Sequence, residues 1–305
     1  MLVFSTSDKG GTGRSVTSCN IAFRLCMSGK NVAYLDFDFG SPTAGALFEI
    51  GAVERGISDG TGLHSYLLNE KETTTRIDVR AKSDRVELCR MPMRSGKLVL
   101  FPGDEGGAEF PTTGTAMVEQ CVKLLSKVMG EFHVVIVDLS AGRSAAAQLV
   151  LEATAHPQLA EETVRWLIFH RWTRQHIMAA SSLVHGPSGL LESGVGYGHD
   201  EKKLRESIRF IRTAVPNPFT QPGNDESAQA RWLLKQNAAL KKLASTKKLG
   251  QSTLLGETPM EPMLQWREQV ILDADVDAKI ANIETTTAFG ELARQLTDDA
   301  VWETF

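Results

Sequence analysis

The stretch "LVFSTSDKGGTGRS" (residues 2–15) constrains the fold most, because an apolar strand runs directly into a glycine-rich loop. From residue 14 to residue 27 there is no Gly or Pro, and apolar side chains recur at helical spacing. A strand, a glycine loop and a helix in this order bring backbone N–H groups and the positive helix N-terminus to one point. The stretch therefore predicts a site for an anion such as a phosphate group.

The rest of the chain alternates strands with helices. We predict further strands at 31–39, 86–92, 97–103, 133–142 and 164–169, and helices at 115–129 and 174–184. The run "HVVIVDLSAG" (133–142) is continuously apolar and β-branched, as in a parallel strand covered on both faces. This order predicts an α/β fold with a doubly wound, mostly parallel sheet and helices on both faces.

Domain organisation follows from length and from the loop-like stretches. The 305 residues are expected to form a single domain, 1–305, with loop insertions around 51–80 and 186–225. A basic helix is predicted inside the second insertion, at 202–212.

Composition excludes several classes of protein. Charged residues are 23% and hydrophobic residues 42% of the chain, as in an ordinary globular protein, and the net charge of −4 argues against coating nucleic acid by bulk charge. The four cysteines form no zinc spacing. We find no signal peptide and no apolar run near the ~20 residues of a transmembrane segment, so we expect a cytoplasmic protein.

Three carboxylates stand at predicted strand ends. Asp36 and Asp38 are two apart, so on a strand both side chains point to the same face, and Asp138 ends the most apolar strand. Ligands of open α/β sheets bind beyond the carboxyl ends of the strands. The loops 7–15, 36–43 and 138–143 are all expected there, with a cation or water network between the carboxylates.

The loop "KGGTGRS" (9–15) resembles the deviant P-loop of the ParA/MinD class of ATPases, usually KGGxGK[ST]. "VAYLDFDFGSPT" looks like the second carboxylate motif of that class, and "VVIVDLSAG" like its Walker B strand with the switch II glycine. "LLGETPMEPMLQWREQV" and "TTTAFGELARQL" look like its closing segment, so the resemblance spans nearly the whole chain. More narrowly, the chain resembles a group of actinobacterial variant P-loop proteins.

The resemblance implies ATP and Mg²⁺ as cofactors and a homodimer that forms on ATP binding. Lys9 is then the signature lysine that reaches the phosphates of the partner copy, and Asp38 helps to place the attacking water. The implied metal ligands are Ser15, Asp36 and Asp138. The implied nucleotide-binding residues are Gly10, Gly11, Thr12, Gly13, Arg14, Ser15, Val16 and Gly142.

Arg14 departs from the pattern, which has lysine at this position. Arginine keeps the positive charge but is a longer planar fork, whose bulk can displace the terminal phosphate. Because phosphoryl transfer depends on positioning, we expect a slow ATPase switch that positions or regulates a partner or cargo, and faster phosphate release in Arg14→Lys. Two alternatives stay open: a nucleotide-sensing scaffold or pseudo-ATPase without turnover, and another enzyme on the same fold.

Two further clusters are singled out. Residues 170–176 (HRWTRQH) follow a predicted strand and are interpreted either as an adenine or phosphate contact or as a structural or partner-facing group. Residues 227–256 contain six basic residues and no acidic one. On a helix, Trp232, Leu233, Leu240 and Leu243 fall on one side, and Arg231, Lys235, Lys241, Lys242 and Lys248 on the other. This basic face is either a solvated surface or a docking face for DNA, an acidic partner or anionic lipid.

Overall fold

The computed structural model describes residues 1–217 and 228–303. They include an eight-stranded sheet in the order β3-β4-β2-β5-β1-β6-β7-β8, parallel throughout except for β3, which is antiparallel to β4. The strands are β1 Leu2–Thr6, β2 Val32–Phe37, β3 Ile77–Asp78, β4 Leu98–Phe101, β5 Val134–Leu139, β6 Val164–Arg171, β7 Ile208–Val215 and β8 Leu254–Pro259.

Helices connect these strands and cover the sheet. They are α1 Arg14–Met27, α2 Ala44–Leu47, α3 Leu63–Leu67, α4 Val79–Lys82, α5 Val86–Cys89, α6 Thr115–Met129, α7 Ala145–Ala155, α8 Arg174–His185, α9 Leu190–Gly196, α10 Glu201–Glu206, α11 Ala228–Thr246, α12 Asp273–Asp277 and α13 Ile283–Leu296.

Alternate side chains of the central strands enter two separate cores. Phe4 of β1 and Val137 of β5 pack with α6 to α10 on one face, whereas Val3 and Ile136 pack with α1, α2 and α13 on the other. Strands buried on both faces need the continuous apolar runs that the sequence shows. The predicted doubly wound, mostly parallel sheet with helices on both faces is therefore confirmed.

Most predicted elements are present within a few residues of their predicted bounds, but the strand at 86–92 is wrong. The segment forms the short helix α5, in which Val86 is exposed. Leu88 and Met91, three residues apart, are the buried side chains. That spacing fits a helical turn, and a strand would have buried Val86 and Leu88 together.

The basic helix predicted at 202–212 is wrong in its second half. Helix α10 ends at Glu206, and β7 begins at Ile208 and pairs with β6 and β8 on its two sides. Pairing on both edges outweighs the local helical pattern. The insertion predicted around 186–225 lies partly outside the described residues, and the single-domain organisation stays a prediction.

Candidate functional site

The glycine loop between β1 and α1 is shaped to receive an anion. Gly11 and Gly13 have φ of +69° and +74°, a backbone conformation that disfavours any other residue. The N–H of Thr17 donates to the carbonyl of Gly13 at 3.0 Å, so the preceding N–H groups of α1 are left without a partner in the helix. No side chain caps this end, and the first turn holds no carboxylate. The arrangement favours negative charge at the helix N-terminus.

Contacts with the end of β7 and with the turn after β5 fix the loop in place. The Thr213 hydroxyl at the end of β7 donates to the carbonyl of Thr12, and the N–H of Gly142 donates to the carbonyl of Ser7 at 2.7 Å. Gly142 has φ of +81° and thus makes the turn after β5. The loops after β1 and β5 and the last residues of β7 therefore meet at one edge of the sheet, where the sequence predicts the loop 138–143.

Arg14 is buried and turns toward carboxylates. Its Nε donates to Asp138 Oδ1 at 2.7 Å, and its Nη2 donates to Asp38 Oδ2 at 2.8 Å and to Ser15 Oγ at 3.3 Å. Burial opposes the charge of Arg14, but the charges of Asp138 and then Asp38 raise its pKa above the ordinary value. The guanidinium is therefore held as a cation between these side chains.

Asp36 and Asp38 contact different partners, although their spacing of two residues would place both side chains on one face of a strand. Asp36 lies within β2, where its oxygens accept the N–H of Ala44 at 2.9 Å and that of Asp38 at 3.3 Å. Asp38 lies one residue beyond the strand and faces Arg14. Burial, and then the charge of Asp138 in the neighbouring strand, raise the pKa of Asp36 to about 8.

Two groups at the site escaped the sequence reasoning. The buried hydroxyl of Tyr34 donates to Asp138 Oδ2 at 2.9 Å, and alternation along β2 places Tyr34 on the face of Asp36, a signal that was available. Asn20 of α1 donates to the carbonyl of Gln269 at 3.1 Å and accepts the N–H of Ile271 at 2.8 Å. No local pattern predicts these contacts, since Gln269 and Ile271 lie about 250 residues from Asn20 along the chain.

Two cavities adjoin the loop. The first, here called the phosphate cavity, has a volume of about 170 Å³ and is lined by the loop, Asp38 and Glu268. The second, the side cavity, has a volume of about 320 Å³ and lies at the carboxyl ends of β7 and β8. The two share lining residues of the loop and of the first turn of α1, namely Gly11, Thr12, Gly13 and Val16. Of these two cavities, the side cavity is within the usual size of small-ligand sites, and the phosphate cavity is smaller.

The closing segment of the chain forms the outer wall of the side cavity. Glu261 is buried there, and its carboxylate accepts the hydroxyl of Thr285 at 2.7 Å and the N–H of Asn282 at 2.9 Å. Trp266, in contrast, is 92% exposed although it lines the cavity. An aromatic side chain at the mouth of a cavity is available to stack on a planar ligand.

Lys9 is exposed and lies close enough to His176, in the 170–176 cluster, to affect its pKa. Its charge contributes, after burial, to lowering the pKa of His176. Arg171 lines the side cavity, whereas Trp172 is buried and its Nε1 donates to Asn237 Oδ1 at 2.8 Å. The cluster is thus divided between the cavity wall and the packing of α11 on the sheet.

His170 in this cluster predicts an acid-sensitive stability. Burial, and then the charges of Arg212 and His176, lower its pKa from 6.5 to about 4. As the pH falls, His170 takes up a proton in the unfolded chain before it does so in the folded protein. Its contribution to the free energy of unfolding is therefore complete above pH 6.5 and is lost as the pH falls toward 4. We expect the free energy of unfolding to fall by roughly 2–3 kcal/mol across this range from His170. Urea unfolding of His170→Phe should show a weaker fall, and an unchanged pH slope would contradict this assignment.

Helix α11 presents the predicted basic face. Its exposed basic residues are Arg231, Lys235, Lys241 and Lys242, with Lys248 just beyond the helix. Leu240 and Leu243 pack against the core, as predicted. Trp232 was placed with them and is instead 59% exposed. No helix among residues 1–217 and 228–303 is long and apolar enough to cross a membrane.

Comparison with known proteins supports the fold. No family model matches the chain. No curated protein matches it either.

Among solved structures, the MinC:MinD cell division protein complex of Aquifex aeolicus is 17% identical, with a TM-score of 0.59 over 97% of this chain and 95% of that chain. A septum site-determining MinD from Pyrococcus horikoshii, complexed with Mg-ADP, is 15% identical with a TM-score of 0.53 over 98% of both chains. A ParA family ATPase from Chlorobium tepidum is 14% identical with a TM-score of 0.51 over 96% of this chain and 98% of that chain. Together with the eight-stranded sheet, these likenesses show that the chain has the fold of the MinD and ParA P-loop ATPases.

Proposed function

We propose that this protein is a nucleotide-binding switch of the ParA/MinD type, which binds a nucleoside di- or triphosphate in the phosphate and side cavities. The observation that carries the proposal is the open N-terminus of α1, approached by two glycines in the left-handed conformation and joined to a cavity of nucleoside size. Backbone N–H groups at such a terminus bind phosphate. The solved MinD with Mg-ADP supports a nucleotide at the equivalent fold position.

Turnover is expected to be slow or absent. The Asp38 carboxylate, the residue proposed to place the attacking water, is held 2.8 Å from the Arg14 guanidinium. The Asp38 oxygen that accepts this hydrogen bond is occupied by Arg14 and is not free to accept one from an attacking water. This contact favours the second candidate function, a nucleotide-sensing scaffold without turnover, over efficient hydrolysis.

The side chains do not fit the Mg²⁺ ion that the fold family implies. Both oxygens of Asp138 are already engaged, by Arg14 and by Tyr34, and both oxygens of Asp36 accept backbone N–H groups. Ser15 Oγ accepts from Arg14 as well. Among the residues that the structure describes, no group of three or more His, Cys, Asp or Glu is arranged to hold a metal ion.

The proposal extends to assembly. In the Aquifex structure MinD is in complex with MinC, which supports a protein partner for this chain too. We propose a nucleotide-dependent homodimer in a cytoplasmic setting, with the exposed Lys9 at the shared face and the basic face of α11 open to DNA or an acidic partner. Sedimentation velocity with and without ATP tests the dimer.

Equilibrium binding of fluorescent ADP and ATP to Gly11→Ala tests the proposed nucleotide site. We expect the substitution to weaken binding by at least about tenfold, because an added methyl group forces the left-handed backbone of the phosphate loop out of shape. Gly106→Ala is the matched control, since Gly106 has φ of +70°, lies in open space and lines neither cavity. Equal affinities in the two variants, or no saturable binding by the unsubstituted protein, would reject the proposed function.

A further inference from the structure

We propose that the Arg14 guanidinium is a built-in substitute for the divalent cation, so that the protein binds its nucleotide without a metal ion. The inference deepens the proposed function and depends on it for the nucleotide, but the part about the cation stands on Arg14 and its neighbours alone.

The first step is the position of the charge. The guanidinium lies between a hydroxyl and two carboxylates, Ser15, Asp138 and Asp38, at 2.7–3.3 Å from each. Hydroxyl and carboxylate oxygens are the ligands that Mg²⁺ prefers in proteins. Three oxygen ligands, from the first turn of α1, from β5 and from the residue after β2, surround one cation as a metal-like donor set, and here the cation is covalently part of the chain.

The second step is exclusion. Arg14 is 7% exposed and Asp138 is 2% exposed, so the two charges are largely shielded from solvent and interact strongly. Mg²⁺ dehydrates reluctantly and needs near-octahedral oxygen geometry. To enter, it would have to break the charge-assisted hydrogen bonds of Arg14 to Asp138 and to Asp38. Breaking the buried Arg14–Asp138 pair is strongly unfavourable when one partner is left uncompensated.

The third step is the link to the ligand. Arg14 also lines the phosphate cavity. Its Nε and Nη2 donate to the two carboxylates and to Ser15, and the guanidinium has further N–H donors. It can therefore contact phosphate oxygens on one side while the carboxylates hold it on the other, as a metal ion does. Because both carboxylates offset its charge, affinity for phosphate rests mainly on the backbone N–H groups of the loop.

Direct measurement of Mn²⁺ binding by electron paramagnetic resonance, without nucleotide, tests the cation part. We expect no saturable binding to the unsubstituted protein. Arg14→Gln and Arg14→Ala leave the oxygen ligands unpaired, so both are expected to gain saturable Mn²⁺ binding and a melting temperature that rises by several degrees with the ion. Arg24→Gln, on the same helix but in an ion pair with the exposed Asp273, is the matched control and gains neither.

The second measurement is the affinity for ADP and ATP in excess Mg²⁺ and in EDTA. We expect the dissociation constant of the unsubstituted protein to differ by less than about twofold, since no metal ion takes part. Saturable Mn²⁺ binding by the unsubstituted protein that Asp138→Asn abolishes would overturn the inference. A nucleotide affinity that falls by about tenfold or more in EDTA would also overturn it. So would the absence of any gain in Mn²⁺ binding in both Arg14 variants.

The two measurements separate the inference from the proposed function. If neither the unsubstituted protein nor its Arg14 variants bind nucleotide, in excess Mg²⁺ or in EDTA, the proposed function fails. The Mn²⁺ measurement still decides the role of Arg14. If nucleotide binds equally with and without Mg²⁺ and the Arg14 variants take up Mn²⁺, both stand.

Discussion

Replacing Asp138 with asparagine is expected to lower the free energy of unfolding by about 3 kcal/mol, because it leaves the buried Arg14 guanidinium without its closest counter-charge. The two side chains are 2.7 Å apart, and both are almost completely buried. Asparagine keeps the volume and an acceptor for the Tyr34 hydroxyl, so the loss reports the charge and not a cavity. Urea unfolding at neutral pH measures it.

The control for Asp138→Asn is a similar ion pair at the surface. Arg24 and Asp273 are also 2.7 Å apart, but Asp273 is 70% exposed, so Asp273→Asn is expected to cost less than about 1 kcal/mol. Adding Arg14→Met to Asp138→Asn should restore part of the stability, since the uncompensated cation is then removed. A loss from Asp138→Asn as small as that from Asp273→Asn would show that the pair is not buried in solution.

Truncating Trp302 to alanine is expected to cost about 3–5 kcal/mol of unfolding free energy, as for other buried tryptophans. The ring is 9% exposed and lies 4.6 Å from the Arg165 guanidinium carbon and 4.8 Å from that of Arg209. Burial, and then the charge of Arg165, lower the pKa of Arg209 to about 10. The aromatic ring between the two cations offsets part of this repulsion, so its loss adds to the loss of packing.

Trp232→Ala is the matched control for Trp302, because Trp232 is 59% exposed. We expect Trp232→Ala to change stability by less than about 0.5 kcal/mol, as is usual for surface substitutions. Thermal and urea unfolding of both variants make the comparison. Similar losses in the two variants would mean that the Trp302 ring does not pack against Arg165 and Arg209 as described.

Local pattern was enough to predict the fold, and it predicts the place of the candidate site. The strand, the glycines at positions of positive φ and the helix after them follow one another along the chain, and such neighbours interact whatever the rest of the molecule does. Asp138 was found by the same reasoning, since a carboxylate ending a buried strand of a parallel sheet must lie at the ligand edge. The side cavity was out of reach, because its walls come from the glycine loop, β7 and the closing segment that begins with β8, and the loop is far from the others in sequence.

The sequence by itself determined a glycine-rich loop between a strand and a helix of a doubly wound sheet, because hydrophobic periodicity and glycine positions are local properties. Only the tertiary structure decided what Arg14 does. Its charge could be read from the sequence, but the direction of a long side chain depends on partners 24 and 124 residues away, Asp38 and Asp138. The same holds for Asp36 and Asp38. They contact different partners because Asp36 lies inside β2 and Asp38 lies one residue beyond it.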